Sequence, residues 1–190
     1  LLFADISMRE GAYDRALDEA KTVLKDQPKS VQAYLVIGNA YMLKKNTPGA
    51  LKSFEEMIKI APDNPVGYAQ MGRILLIQKK EKEALLKFEK ALSLQPNYLE
   101  PLQHIVMVHM NKKDLRKAFD RVVDQMNISP QNPYLYNILA GIYEAYRDTS
   151  NAENYFKKAI EMNENIPALH ISLANFYMRQ RMLDKAKTVY

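Results

Sequence analysis

The chain has 190 residues, 47% of them hydrophobic, and carries 27 basic against 22 acidic side chains for a net charge of +5. It contains no cysteine, which excludes disulfides, thiolate metal sites and a cysteine nucleophile, and which suits a reducing or an oxidising compartment equally well. No apolar run is long enough to cross a bilayer, and the opening LLFADISMREG has Asp5 inside a short apolar run with no basic residue ahead of it, so no signal peptide is visible.

Residues 1–30 open inside a helix, turn near Glu10–Gly11, and continue as an amphipathic helix from Tyr13 to Lys25, with Gly11 suited to the helix end. This start predicts a unit whose beginning is missing, with any targeting segment upstream and localisation left open. Residues 31–64 begin after Ser30, a good N-cap, and place Tyr34, Ile37 and Tyr41 on one helical face. Thr47 as cap and Pro48 at the first helical position predict a second helix from about Pro48 to Ile60. Asn64–Pro65 and Asn132–Pro133 repeat that logic for 65–98 and 133–166, while Pro101 and Pro167 fall near the starts of 99–132 and 167–190. The polar turns Lys79–Lys80–Glu81, Lys113–Asp114 and Arg147–Asp148–Thr149 lie inside the hairpins. Every connection is short, as antiparallel helix pairs in a stack require. The last unit stops at Tyr190 partway along its second helix without a polar cap. Apolar surface is therefore expected at Leu1 to Ala4 and along the helix ending at Tyr190, with native sequence continuing beyond.

One interval governs the whole. Pro28, Pro62, Pro96 and Pro130 stand 34 residues apart, and Ala16, Ala50, Ala84, Ala118, Ala152 and Ala186 recur at the same spacing, a small residue held at one site in every unit. In 31–64 the remaining columns read Tyr34, Ile37, Gly38, Tyr41, Ala50, Phe54, Pro62; in 65–98 they read Tyr68, Met71, Gly72, Leu75, Ala84, Phe88, Pro96. This pattern resembles the tetratricopeptide repeat. The version in 99–132, with Leu102, Ile105, Val106, His109, Ala118 and Val122, is the loosest, and that in 133–166, with Tyr136, Leu139, Ala140, Tyr143, Ala152 and Phe156, lacks the glycine and the final proline. The resemblance implies an all-α fold, a right-handed α-solenoid of antiparallel helix pairs spanning 1–190 as one array, partial at 1–30 and 167–190. It also implies a ligand site on the inner, concave face of the first helices.

Catalytic chemistry finds no foothold in the sequence. His104 and His109 are five apart and point in different directions on a helix, so they do not make a metal pair, and His109 falls in a column held elsewhere by Tyr41 and Tyr143, where a packed histidine is expected. The six glycines are scattered singly, with no phosphate loop. Asp18–Glu19 and Glu55–Glu56 are adjacent on helices, diverge by about 100° and read as solvated surface. We therefore expect neither an enzyme nor a metal or cofactor site.

Basic residues gather at the hairpin turns: Lys44–Lys45, Lys79–Lys80–Lys82, Lys112–Lys113, Arg147, and Arg179 with Arg181. Such residues complement helix C-termini and keep turns soluble; stacked in a row they would equally attract an acidic protein, anionic lipid or nucleic acid. No aromatic residues interleave with them as a base-stacking platform needs, which argues against nucleic acid.

Columns that change from unit to unit report what a surface offers. On the inner face one column reads Leu35, Ala69, Gln103, Asn137, Ile171, and the next Asp5, Asn39, Arg73, Met107, Gly141, Asn175. A third reads Met8, Met42, Leu76, Met110, Glu144, Met178, with Ile77 beside it. The expected partner-binding residues are therefore Leu35, Asn39, Met42, Arg73, Leu76, Ile77, Gln103, Met107, Met110, Asn137, Asn175 and Met178. These columns hold no lysine, and their arginines are scattered, so the Lys/Asn carboxylate clamp of some family members is not carried over. The expected function is a protein-interaction scaffold for a partly apolar peptide or partner segment. Self-assembly between identical chains and a substrate-presenting arm of a larger enzyme are the alternatives.

Overall fold

A computed structural model of the chain describes residues 2–189, and all its regular structure is helical. It forms two compact units, Leu1–Gln95 and Pro96–Tyr190. The first contains α1 (Leu2–Arg9), α2 (Tyr13–Asp26), α3 (Val31–Leu43), α4 (Thr47–Ile60), α5 (Pro65–Ile77) and α6 (Glu81–Leu94). The second contains α7 (Leu99–Asn111), α8 (Leu115–Ile128), α9 (Pro133–Ala145), α10 (Thr149–Met162), α11 (Pro167–Arg179) and α12 (Leu183–Val189). Odd and even helices pair as hairpins, and each hairpin packs on the next within its unit. Leu1 and Tyr190 lie outside the described residues. Of the other residues expected to be bare at the start, Leu2 and Phe3 are exposed, whereas Ala4 is buried against Ala20 and Ile37.

The starts of α3, α4, α5, α8, α9 and α10 follow side-chain caps. Ser30 accepts from the Ala33 N–H, Asn64 from Val66 and Asn132 from Tyr134, and proline opens α5 and α9. The α4 start differs from expectation: Asn46, not Thr47, is the cap, its Oδ1 accepting from the Gly49 N–H at 3.1 Å. Asn outranks Thr as an N-cap, so the helix begins one residue early and Pro48 takes the second position, where its missing N–H still costs nothing.

Helix ends repeat one motif. After each first helix a single residue turns left-handed: Gly11 at φ +76°, then Lys45, Lys79, Lys113, Arg147 and Arg181 at φ between +58° and +62°. Each donates its N–H to the carbonyl three residues back, as Lys45 does to Met42 at 3.0 Å, and the following residue donates five back, as Asn46 does to Tyr41 at 2.8 Å. This is the Schellman closure, which satisfies otherwise orphaned carbonyls. Glycine fits it freely; a residue with a Cβ gives up about 1–2 kcal/mol in that conformation. A cation near a helix C-terminus returns only about 0.3–1 kcal/mol through the helix dipole.

The core lies where paired helices cross. Ala16, Ala50, Ala84, Ala118 and Ala152 are wholly buried and Ala186 nearly so. Phe54 and Phe88 are fully buried beside them. The Tyr34, Tyr68 and Tyr136 column sits at the margin of the core, half-buried, with Lys87 and Lys90 over the Tyr68 ring and Lys158 over the Tyr136 ring. A phenol keeps its hydroxyl wet while its ring packs, which suits the edge better than the centre. Ala84→Leu should therefore cost about 1–3 kcal/mol by overpacking, read as a lower denaturant midpoint at unchanged slope.

One polar node fastens the last helix. Glu153 on α10 accepts from Tyr177 on α11 at 2.9 Å and from Lys185 on α12 at 3.0 Å, and it pairs with Lys157 at 2.8 Å. Lys157 chiefly, then Lys185 and Tyr177, hold its carboxyl down to about 2 from the ordinary 4.5. A depressed folded pKa stabilises above the unfolded value, so this contribution is complete above about pH 4.5 and is lost as pH falls toward 2. Solvent screening of the exposed lysines limits it to about 1–2 kcal/mol. Melting curves at pH 5 and pH 2.5 should therefore differ less for Glu153→Gln than for the unsubstituted protein; an equal difference would remove the node from the acid response.

Candidate functional site

The three variable columns fall on α1, α3 and α5 in the first unit and on α7, α9 and α11 in the second. On α3, Leu35 and Met42 are half-buried and pack on the cluster of Ala50, Phe54, Met57 and Ile74, so both contribute to the hairpin core as well as to the inner face. Asn39 lies half-buried between them in sequence. On α5, Arg73 is half-buried and donates to Gln70 at 2.8 Å, Leu76 is half-buried, and Ile77 is 64% exposed.

In the second unit the face is more open. Gln103 is exposed, Met107 and Met178 are 45% and 48% exposed, and Ile171 is similar. Met110 and Asn175 are half-buried. Between α7 and α11, Gly141 of α9 occupies the same column as Met107 and Asn175, and a Cβ built there would meet nothing within 4 Å. Four residues earlier, Asn137 keeps its Oδ1 sealed from solvent without a hydrogen-bond donor. A buried acceptor without a donor costs about 1–3 kcal/mol. The missing side chain leaves a notch at Gly141 on this face.

Arg179, read in the sequence as one of the turn cations, is committed: it forms a bidentate pair with Glu144, both contacts at 2.8 Å, joining α11 to α9. Fork-to-fork geometry makes this the strongest kind of surface ion pair. Clefts open elsewhere as well. One of about 470 Å³ lies at the loop edge among Leu99, Ile128, Pro130 and Ile166, and another of about 390 Å³ at the turn edge among Arg116, Phe119, Tyr143, Tyr146 and Asp148. Sequence reading singled out neither, because both are lined by residues distant along the chain.

The histidines sit apart from one another. His104 lies 3.8 Å from Glu100, His109 is half-buried, and His170 Nε2 is 2.9 Å from the Glu164 carbonyl. Among the described residues no group of three His, Asp or Glu side chains is placed to hold a metal. No helix among them is long and apolar enough to cross a membrane.

Tetratricopeptide repeat profiles match residues 1–65, 67–98 and 133–166, more than half of the chain. The chain is a tetratricopeptide repeat protein. The matched ranges pass over 99–132, the unit whose columns are loosest. No curated protein shows significant similarity to this repeat protein. Several solved structures share its fold. The crystal structure of MamA is 24% identical with a TM-score of 0.62, covering 85% of this chain and 94% of that one. PilW, a type IV pilus biogenesis factor, is 22% identical at a TM-score of 0.66 and covers 99% and 87%. YrrB, described as having an unusual peptide-binding site, is 21% identical at 0.55 and covers 89% and 87%. Membership of this family places the chain among protein-interaction scaffolds, and the solved structures show the shared fold.

Proposed function

We propose that the inner face of the first helices holds a partly apolar peptide or partner segment, and that in the second unit the contact centres on the notch at Gly141. The observation that carries this reading is the pairing of exposed Met107, Ile171 and Met178 with an empty backbone position between them. A helix needs one buried stripe for its hairpin, and these residues form a second apolar stripe. Unbranched methionine adapts to irregular surfaces, and a glycine in a helix interior gives up about 1 kcal/mol against alanine while letting another backbone come close. Tetratricopeptide folds commonly present this face to partners, which supports the same assignment.

Met107→Glu combined with Met178→Glu tests it. Both side chains are exposed, so the variant should keep its helical circular dichroism and melt within a few degrees of the unsubstituted chain. Captured partner should fall by about tenfold or more, since a carboxylate pair would be desolvated against an apolar ligand. Equal capture of the same partners by both proteins would overturn the assignment.

A further inference from the structure

We propose that the hairpin-turn edge of the second unit docks an acidic, extended protein segment through Lys113, Arg147 and Arg181. This edge is separate from the inner face, and the inference does not depend on that face binding anything.

Three observations converge on these side chains. They occupy equivalent left-handed positions at the ends of α7, α9 and α11, where glycine is the residue without strain and where this chain does use glycine at Gly11. Five of the six such positions in the chain hold a long cation, none of them Asn or Asp, the next best residues for that conformation. All three side chains are exposed, and among the described residues none is engaged in an ion pair, side-chain hydrogen bond or ring contact. Several other cations of the unit are paired: Lys117 with Asp114, Arg116 with Asp120, Arg179 with Glu144 and Lys185 with Glu153.

The helix dipole does not account for the choice. Its return is smaller than what the Cβ forfeits, so stability alone favours glycine at each turn. Among the described residues none of the three cations forms an ion pair with a neighbouring acid. Asp114 and Asp148 are committed to helix starts, accepting from the backbone N–H of Lys117 and Asn151.

The geometry favours a polypeptide over other polyanions. Adjacent first helices stand about 8–10 Å apart, and an extended chain advances about 3.3 Å per residue, so a carboxylate at every third residue meets successive cations. Single-stranded nucleic acid binds through rows of stacking aromatics. Tyr146 is the only exposed aromatic at these turns among the described residues. Insertion into a membrane surface needs apolar residues beside the cations. Exposed apolar side chains stand beside Arg147 (Tyr146) and Arg181 (Met182 and Leu183) but none beside Lys113, so among the described residues no continuous apolar strip accompanies the row of cations.

The test uses the 190-residue chain and a fluorescent peptide of about twelve residues with glutamate at every third position in a Gly/Ser background. Lys113→Gly, Arg147→Gly and Arg181→Gly together leave the turns in the conformation glycine prefers, so the fold persists and circular dichroism confirms it. Peptide affinity, read by anisotropy, should fall about tenfold or more, and the unsubstituted chain should itself bind more weakly at about 150 mM than at about 50 mM salt. Lys25→Gln, Lys158→Gln and Lys187→Gln remove the same charge away from these turns and should change affinity less than about threefold. Equal losses in the two triple variants, no binding by the unsubstituted chain, or tighter binding of an oligothymidine or of phosphatidylserine vesicles with the same dependence on the three turn cations would each overturn the proposal.

Discussion

Phe156→Ala should destabilise the second unit by about 3–5 kcal/mol, more than any surface change in the protein. The ring is 4% exposed, stands 5.3 Å from Phe176 of α11 centroid to centroid, and shares a cluster with Ala140, Ala152, Leu173 and Tyr177. Removing it leaves a void bounded by α9, α10 and α11. Alanines at the closest crossings already bring backbones together, so the walls have little room to collapse. A stack of hairpins is held by contacts between neighbours, so the damage should be local. Hydrogen exchange should show α11 and α12 opening first, while α3 to α5 keep their protection. Uniform loss of protection throughout the chain would count against nearest-neighbour energetics.

Much of this architecture could be read from the residues. The alanine column announced tight crossings because no larger side chain appears in any unit, and the Asn–Pro pairs announced helix starts because cap and fixed φ coincide there. What stayed hidden depended on contacts between distant positions or on a conformation no residue type advertises. Lys45, Lys79, Lys113, Arg147 and Arg181 are left-handed, yet only Gly11 carried a residue that signals it; the other five looked like ordinary turn cations. Gln125 is 1% exposed and donates from Nε2 to the Pro96 carbonyl at 2.7 Å. It occupies a column where Met57, Ala91 and Ala159 are buried, and nothing in the sequence says that one amide in that column has found a carbonyl 29 residues away. The Arg179–Glu144 fork joins residues 35 apart, so helix-local pairing rules could not find it. The candidate inner face was legible as a set of variable columns. Its openness was not, because Leu35 and Met42 on α3 pack into the core while Met107 and Met178, in those same variable columns, do not.

Gly72→Val should cost about 3 kcal/mol or more, and the reason lies in a pairing of volumes between two columns of the repeat. A Cβ at Gly72 would lie 2.5 Å from the Phe88 ring, and one at Gly38 would lie 2.4 Å from the Phe54 ring. Those rings are wholly buried, so neither can swing into solvent. The same two columns hold Val106 with Val122 in α7 and α8, and Ala140 with Phe156 in α9 and α10. Glycine or alanine faces phenylalanine, and valine faces valine. The unit that looked loosest by sequence thus preserves the summed volume while exchanging its parts, as close packing requires. Adding Phe88→Val to Gly72→Val reproduces the arrangement of Val106 and Val122, and should recover about 1–2 kcal/mol relative to the single valine at 72, although Phe88→Val alone is destabilising. Gly141→Ala supplies the opposite sign: nothing lies within 4 Å of its Cβ, so the gain in helix propensity stands uncorrected and stability should rise by about 1 kcal/mol. Denaturant midpoints of the four variants decide the matter. Additive losses at 72 and 88 would mean that the two columns do not share a volume, and a destabilised Gly141→Ala would mean that the notch is already filled.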